Sequence, residues 1–225
     1  MKSSQLFIGV ISEGPTDNRF LFSIVKRSID EIIFAYGGTT EIYIEEIKKD
    51  TGKSFVNQII DANRNHHREN FINILLIHND SDHKDDSKVL NDKFNPLMDE
   101  IKSIDNEVIC KEIIPIIPVQ MIEAWMLADI DLFLDVISAA KNKADLKLNG
   151  NPESFTDPKD KIKKALQIIN QEKPKKRRKD LQINELYQLI GQKIEIEKLL
   201  ELNSFRKFHN NLISSLNKLK FIYKQ

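Results

Sequence analysis

The sequence predicts an α/β protein: a mostly parallel four-stranded sheet flanked by helices, followed by a small all-α C-terminal region. Three observations predict it. Aliphatic runs of strand length recur through the first half, they alternate with segments whose apolar residues repeat at helical spacing, and from Ala139 the character changes to a polar stretch followed by short helical segments. The run Ile72-Asn73-Ile74-Leu75-Leu76-Ile77 argues for parallel strands, because a strand covered on both faces reads as nearly continuous aliphatic residues. A boundary between about Ser138 and Pro158 gives an α/β body over 1–138 and a helical region over 139–225.

Taken in order, Leu6 to Ile11 reads as a first buried strand, closed by the tight turn Ser12-Glu13-Gly14-Pro15-Thr16-Asp17. Thr16 or Asp17 can cap a helix on which Phe20, Leu21, Ile24, Val25, Ile29 and Ile32 share one face, and Gly37-Gly38 stops it. Ile42 to Ile47, with charges interspersed, suits a strand nearer an edge, and Ser54 to Asn65 a second amphipathic helix. Ile72 to Ile77 is the third strand, followed by a helix over about Ser87 to Ser103 interrupted at Pro96. Val108 to Ile114 is expected as the fourth strand and Pro115 to Pro118 as a bend. Val119 to Asp129 then reads as a core helix running on towards Val136, since it is apolar all round. Lys159 to Asn170 forms a basic amphipathic helix, and Leu181 to Ile190, Ile194 to Leu202 and Ser204 to Leu219 a set of short ones.

The chain's 225 residues suit one domain, or one domain with a smaller appendage. Its 34 basic and 34 acidic residues cancel, so net charge names no partner. One cysteine, Cys110, excludes a disulfide framework and a cysteine zinc cluster. The N-terminus lacks a signal-peptide apolar region and no apolar run nears the roughly 20 residues that span a bilayer, so a cytoplasmic protein without membrane contact is expected.

Chemistry concentrates after the strands. Asp80 and Asp82, separated by Ser81, follow strand three, where open α/β sheets bind ligands. Glu13 follows strand one, and Asp17 lies four residues on, across the turn. Singly these read as turn and cap residues; together they suit a hard cation such as Mg²⁺, which takes one or two carboxylates with water and phosphate oxygens. Glu123, on an otherwise apolar element, must be paired, bind metal or reach solvent. His78 and His83 flank the acidic loop at no spacing that matches a zinc pattern.

Val10-Ile11-Ser12-Glu13-Gly14-Pro15-Thr16-Asp17, with Phe20-Leu21, resembles the first motif of Toprim (topoisomerase–primase) domains, and Asp80-Ser81-Asp82 resembles their D-x-D motif. Val119 to Trp125, Gly191 to Ile194 and Leu202 to Phe208 extend the likeness to small OLD-like nucleases found beside ABC-type ATPases in bacterial phage defence. The resemblance implies a Toprim, Rossmann-like sheet and phosphodiester hydrolysis with Mg²⁺ or Mn²⁺. It gives Glu13, Asp80 and Asp82 to a first metal, and Asp17 and Glu123 to a second metal or to water activation. Lys84 either stabilises the transition-state phosphate or is a solvated charge.

Lys159, Lys161, Lys163 and Lys164, with Lys175, Lys176, Arg177, Arg178 and Lys179, make the most positive region, suited to a phosphate backbone. No aromatics are interleaved there, so base stacking is not expected. The sequence thus points to a metal-dependent endonuclease acting on DNA or RNA, transfer RNA included, as an antiviral effector with an ABC-type ATPase partner. The alternative is a non-catalytic Toprim scaffold that binds a protein or nucleic acid. The chain carries no Walker-A pattern of its own.

Overall fold

The computed structural model describes residues 4–36, 39–172 and 181–223. Strands β1 (Ser4–Ile11), β2 (Thr40–Glu46), β3 (Ile74–His78) and β4 (Ile113–Ile116) form one sheet in the order β2-β1-β3-β4, every neighbouring pair parallel. Helix α1 (Asp17–Ala35) links β1 to β2, and α2 (Phe55–Glu69) links β2 to β3. Next come α3 (Ser87–Val89), a π-helical stretch (Leu90–Phe94) and α4 (Asn95–Lys102) before β4. The expected α/β class, with a four-stranded parallel sheet, flanking helices and a helical C-terminal region, is what the chain adopts.

Period-2 alternation sorts the strand residues between two cores. Leu6, Ile8, Val10, Ile74, Leu76, Ile114 and Ile116 pack with α1 and the C-terminal helices on one face. Ile11, Leu75, Ile77 and Ile113 pack with Ile59, Phe94 and Leu97 on the other. All five residues of β3 are buried, as its aliphatic run requires.

Three element predictions are corrected. The fourth strand covers Ile113–Ile116 rather than Val108 to Ile114, because the Asn63 side chain takes over the backbone of Cys110, donating to its carbonyl at 2.8 Å and accepting its N–H at 3.1 Å. Pro115 therefore lies inside β4 rather than opening a bend, which an edge strand tolerates. The expected helix over 119–136 is instead a loop, a single turn α5 (Glu123–Met126) and α6 (Ile130–Val136), with Asp129 Oδ1 capping α6 through the Leu132 N–H at 2.9 Å. The interruption at Pro96 takes the form of the π-helical stretch, where the Asn95 N–H reaches back five residues to the Leu90 carbonyl.

The C-terminal helices are α7 (Pro158–Glu172), α8 (Ile183–Lys193), α9 (Ile196–Leu200) and α10 (Asn203–Lys218). They share the first core with the sheet. Gly191 of α8 sits so close to α1 that an added Cβ would lie 2.9 Å from the Phe20 carbonyl oxygen. Fully buried Trp125 meets Phe205 edge-on at 5.0 Å and donates its indole N–H to Ser204 Oγ at 2.7 Å. Among the described residues no helix is long and apolar enough to cross a membrane.

Candidate active site at the strand ends

The strand order reverses at the β1/β3 junction, which makes the crevice beyond the carboxyl ends of those strands the switch point of the sheet. Ile11 pairs with Ile77, so the turn after β1 and the loop after β3 emerge side by side. Glu13 Oε2 accepts the backbone N–H of Asp80 at 3.1 Å across this crevice. The turn is internally braced: Ser12 Oγ donates to the Gly14 carbonyl at 2.9 Å, and the Gly14 N–H donates to Asp17 Oδ2 at 3.1 Å. Thr16 occupies the N-cap of α1 without a capping hydrogen bond.

His78, the last residue of β3 and 1% exposed, lies between two of the carboxylates. Its Nε2 is 3.2 Å from Asp80 Oδ1 and its Nδ1 3.6 Å from Asp17 Oδ2, the latter nitrogen being buried without a hydrogen bond. Asp80 Oδ1 also accepts the Ile122 N–H at 2.9 Å. Burial raises the pKa of both Asp17 and Asp80; the charge of Asp80 adds to the rise at Asp17, and those of Glu123 and Glu13 to the rise at Asp80, against the lowering pull of His78. Burial would depress His78, but its bond to Asp80 and the charges of Asp80, Asp17 and Glu13 outweigh that and hold its pKa above the ordinary value.

Glu123 is 1% exposed and is neutralised locally, with Tyr187 OH donating to its Oε1 at 2.5 Å and Lys159 Nζ 3.0 Å from the same oxygen. Its charge still acts on Asp17 and Asp80. Burial, reinforced by Glu123, drives the Tyr187 pKa far upward, so the phenol stays a donor.

The loop 80–83 is zipped to 118–122 by Ser81, whose Oγ accepts the Gln120 N–H at 2.9 Å and donates to the His83 carbonyl at 2.8 Å. Asp82 and Gln120 adopt φ of +52° and +60° within this zipper, and the Asp82 N–H donates to the Gln120 carbonyl at 2.8 Å. A left-handed backbone costs a residue with a Cβ roughly 1–2 kcal/mol, so this loop shape is enforced by its bonds.

The structure thus brings Glu13, Asp17, Asp80 and Glu123 into one electrostatic cluster. It keeps Asp82 and Lys84 exposed and outside the charges that act most on Asp17 and Asp80. Lys159 joins the cluster through Glu123 rather than standing free for nucleic acid. Lys164 pairs with Asp160 at 2.6 Å, Lys161 donates to the Lys147 carbonyl at 3.0 Å, and Lys163 is exposed. Lys175, Lys176, Arg177, Arg178 and Lys179 lie outside the described residues.

Among the described residues no group of three or more His, Cys, Asp and Glu side chains is disposed to hold a metal ion. Glu13, Asp17 and Asp80 each spend one oxygen on a backbone N–H, while His78 lies against Asp80 and Asp17, and Lys159 against Glu123. The other oxygens, Oε1 of Glu13, Oδ1 of Asp17 and Oδ2 of Asp80, accept no hydrogen bond from the described residues. Three uncommitted carboxylate oxygens are the donor type and charge that a hard cation takes, although as placed they do not converge into a group that encloses one.

Sequence reading missed the supports of this site. Ser81 and Tyr187 carry no local signature. His78 stood out only by flanking the acidic loop.

The family described as "Domain of unknown function (DUF4276)" matches residues 12–213, a span that holds every carboxylate of the cluster. Neither the curated proteins nor the solved structures contain a match.

Proposed function

The chain belongs to the DUF4276 family, and from the chemistry of its strand ends we propose that it is a divalent-metal-dependent phosphodiester hydrolase, a nuclease acting on DNA or RNA. The observation that carries this reading is the meeting of Glu13, Asp17 and Asp80 at the β1/β3 crevice, with one uncommitted oxygen on each. Those three carboxylates are the residues that would hold Mg²⁺ or Mn²⁺. Such an ion, when bound, polarises a phosphoryl oxygen and lowers the pKa of bound water.

The chain's own side chains divide the remaining work. Asp17, with its pKa raised by burial and by Asp80, suits the acceptance of a proton from the attacking water. His78 fixes the rotamer of Asp80, and Ser81 fixes the loop that carries it. Glu123, closed off by Tyr187 and Lys159, sets the local field and does not touch the reacting atoms. The likeness of the Glu13 and Asp80 motifs to Toprim nucleases extends the proposal to an antiviral effector in the cytoplasm, governed by an ABC-type ATPase partner.

The test is cleavage of duplex DNA, single-stranded DNA and total transfer RNA with Mg²⁺ and with Mn²⁺. The parent should cut at least one of them, alone or with its ATPase, whereas Glu13→Ala and Asp80→Ala should cut none. Equal cutting by all three proteins would remove the site from the reaction. Silence from the parent even with the ATPase would favour the scaffold reading.

A further inference from the structure

Two further lysines, Lys49 and Lys93, lie near the acidic crevice, and among the described residues neither pairs with a carboxylate. The backbone delivers Lys49 there: β2 runs parallel to β1, the Ile47 N–H bonds the Val10 carbonyl at 2.8 Å, and the loop after β2 leaves beside the Glu13 turn. Lys49 is half-buried and forms no ion pair among the described residues, although Glu13, Lys93 and Asp17 are its strongest charged neighbours. Burial and the like charge of Lys93 depress its pKa against the pull of Glu13.

Lys93 comes from the π-helical stretch, a distortion that recurs at functional sites. Its ammonium is fixed rather than free to wander, lying 5.5 Å from the Phe55 ring centroid and donating to Asn79 Oδ1 at 2.6 Å. It lines a recess of about 260 Å³ together with Lys88 and the carboxylates of Asp80, Asp82 and Asp92. Lys49 feels the charge of Lys93 as well as that of Glu13, and an anion bound at both ammonium groups would relieve the repulsion between them.

We propose that Lys49 and Lys93 form a phosphate-binding pair that holds a phosphodiester of the nucleic-acid backbone against Glu13 and Asp80. The pair rests on the phosphodiester reading of the same site and adds to it the residues that grip the substrate. Contacts of this kind carry no base information, so the grip is indifferent to sequence.

The experiment measures binding apart from cutting. Anisotropy of a fluorescein-labelled single-stranded DNA oligonucleotide, and of an RNA of the same sequence, is followed in EDTA across a salt series. Lys49→Met and Lys93→Met retain apolar bulk and remove the charge, and Lys102→Ala, at the far end of α4, is the control. Each Met variant should weaken binding roughly tenfold and lower the slope of log affinity against log salt by about 0.7, while Lys102→Ala matches the parent. Parental affinity and slope in both Met variants would overturn the pair, as would a parent that shows no salt-dependent binding. The two failures are separable. A parent that binds through these lysines and cuts nothing refutes hydrolysis alone, and one that cuts without needing them refutes the pair alone.

Discussion

Glu13 Oε2 accepts the Asp80 N–H at 3.1 Å, so one carboxylate ties together the carboxyl ends of two neighbouring strands. Glu13 is exposed, which limits what this bond contributes to stability. Glu13→Gln keeps an acceptor and loses the charge, and Glu13→Ala loses both. Glu13→Ala should cost about 1 kcal/mol and Glu13→Gln less, while metal-dependent cleavage falls at least a hundredfold in both. Thermal melting beside a cleavage assay checks the split, and an active Glu13→Gln would contradict the role given to the charge.

The strand-end cluster also sets a pH dependence. Asp17, Asp80 and His78 all have folded pKa values above their ordinary values of 3.8, 3.8 and 6.5. Each group therefore binds its proton more tightly folded than unfolded. Its contribution is complete below the ordinary value and is lost as pH rises through the folded one. In EDTA at constant ionic strength, the melting temperature should fall as pH rises from about 6 to 8 through the His78 step, and Asp80→Asn should flatten that fall. A melting temperature that climbs over the same range would contradict the assignment.

Lys159 answers to Glu123. Lys159→Met leaves a buried carboxylate held, among the described residues, by Tyr187 alone, a change that costs about 3–5 kcal/mol where both partners are buried and less here, with Lys159 partly exposed. Tyr187→Phe should cost about 1–3 kcal/mol. Adding Glu123→Gln to Lys159→Met should recover most of the loss. Denaturant unfolding of the four proteins of that cycle checks it, and additive losses would show that the two groups do not depend on one another.

The α1/α8 contact gives a prediction away from the chemistry. A Cβ on Gly191 would meet the Phe20 carbonyl oxygen at 2.9 Å and its Cα at 3.1 Å, both backbone atoms that cannot turn aside. Gly191→Ala should destabilise the protein by about 1–3 kcal/mol, despite the better helix propensity of alanine. Unchanged unfolding would mean that the helices separate freely.

What was legible in the sequence follows the range of the interactions involved. Ile72 to Ile77 announced a doubly covered strand because burial on two faces leaves a mark in consecutive residues. The Gly14-Pro15 turn and the Asp80-Ser81-Asp82 step marked the strand ends for the same local reason. The Val108 run misled because Asn63, 47 residues earlier, takes the Cys110 backbone out of the ladder. The Val119 helix misled because Ser81, 39 residues earlier, holds Gln120 in a left-handed turn. The partners of Glu123 lie on α7 and α8, and such a pairing has no periodicity to read. Lys93 owes its position to a π-helical distortion, which composition does not announce.

The proposed hydrolysis needs a cation held at the strand ends, so Mn²⁺ binding to the full chain is the most direct measurement, made by titration calorimetry at pH 6 and pH 8. Binding to the parent is predicted to tighten at the higher pH, because protons on His78, Asp17 and Asp80 oppose the ion, and to be lost in Asp80→Asn. A parent that takes up no Mn²⁺ at either pH, or an Asp80→Asn variant that binds it as the parent does, would contradict the account.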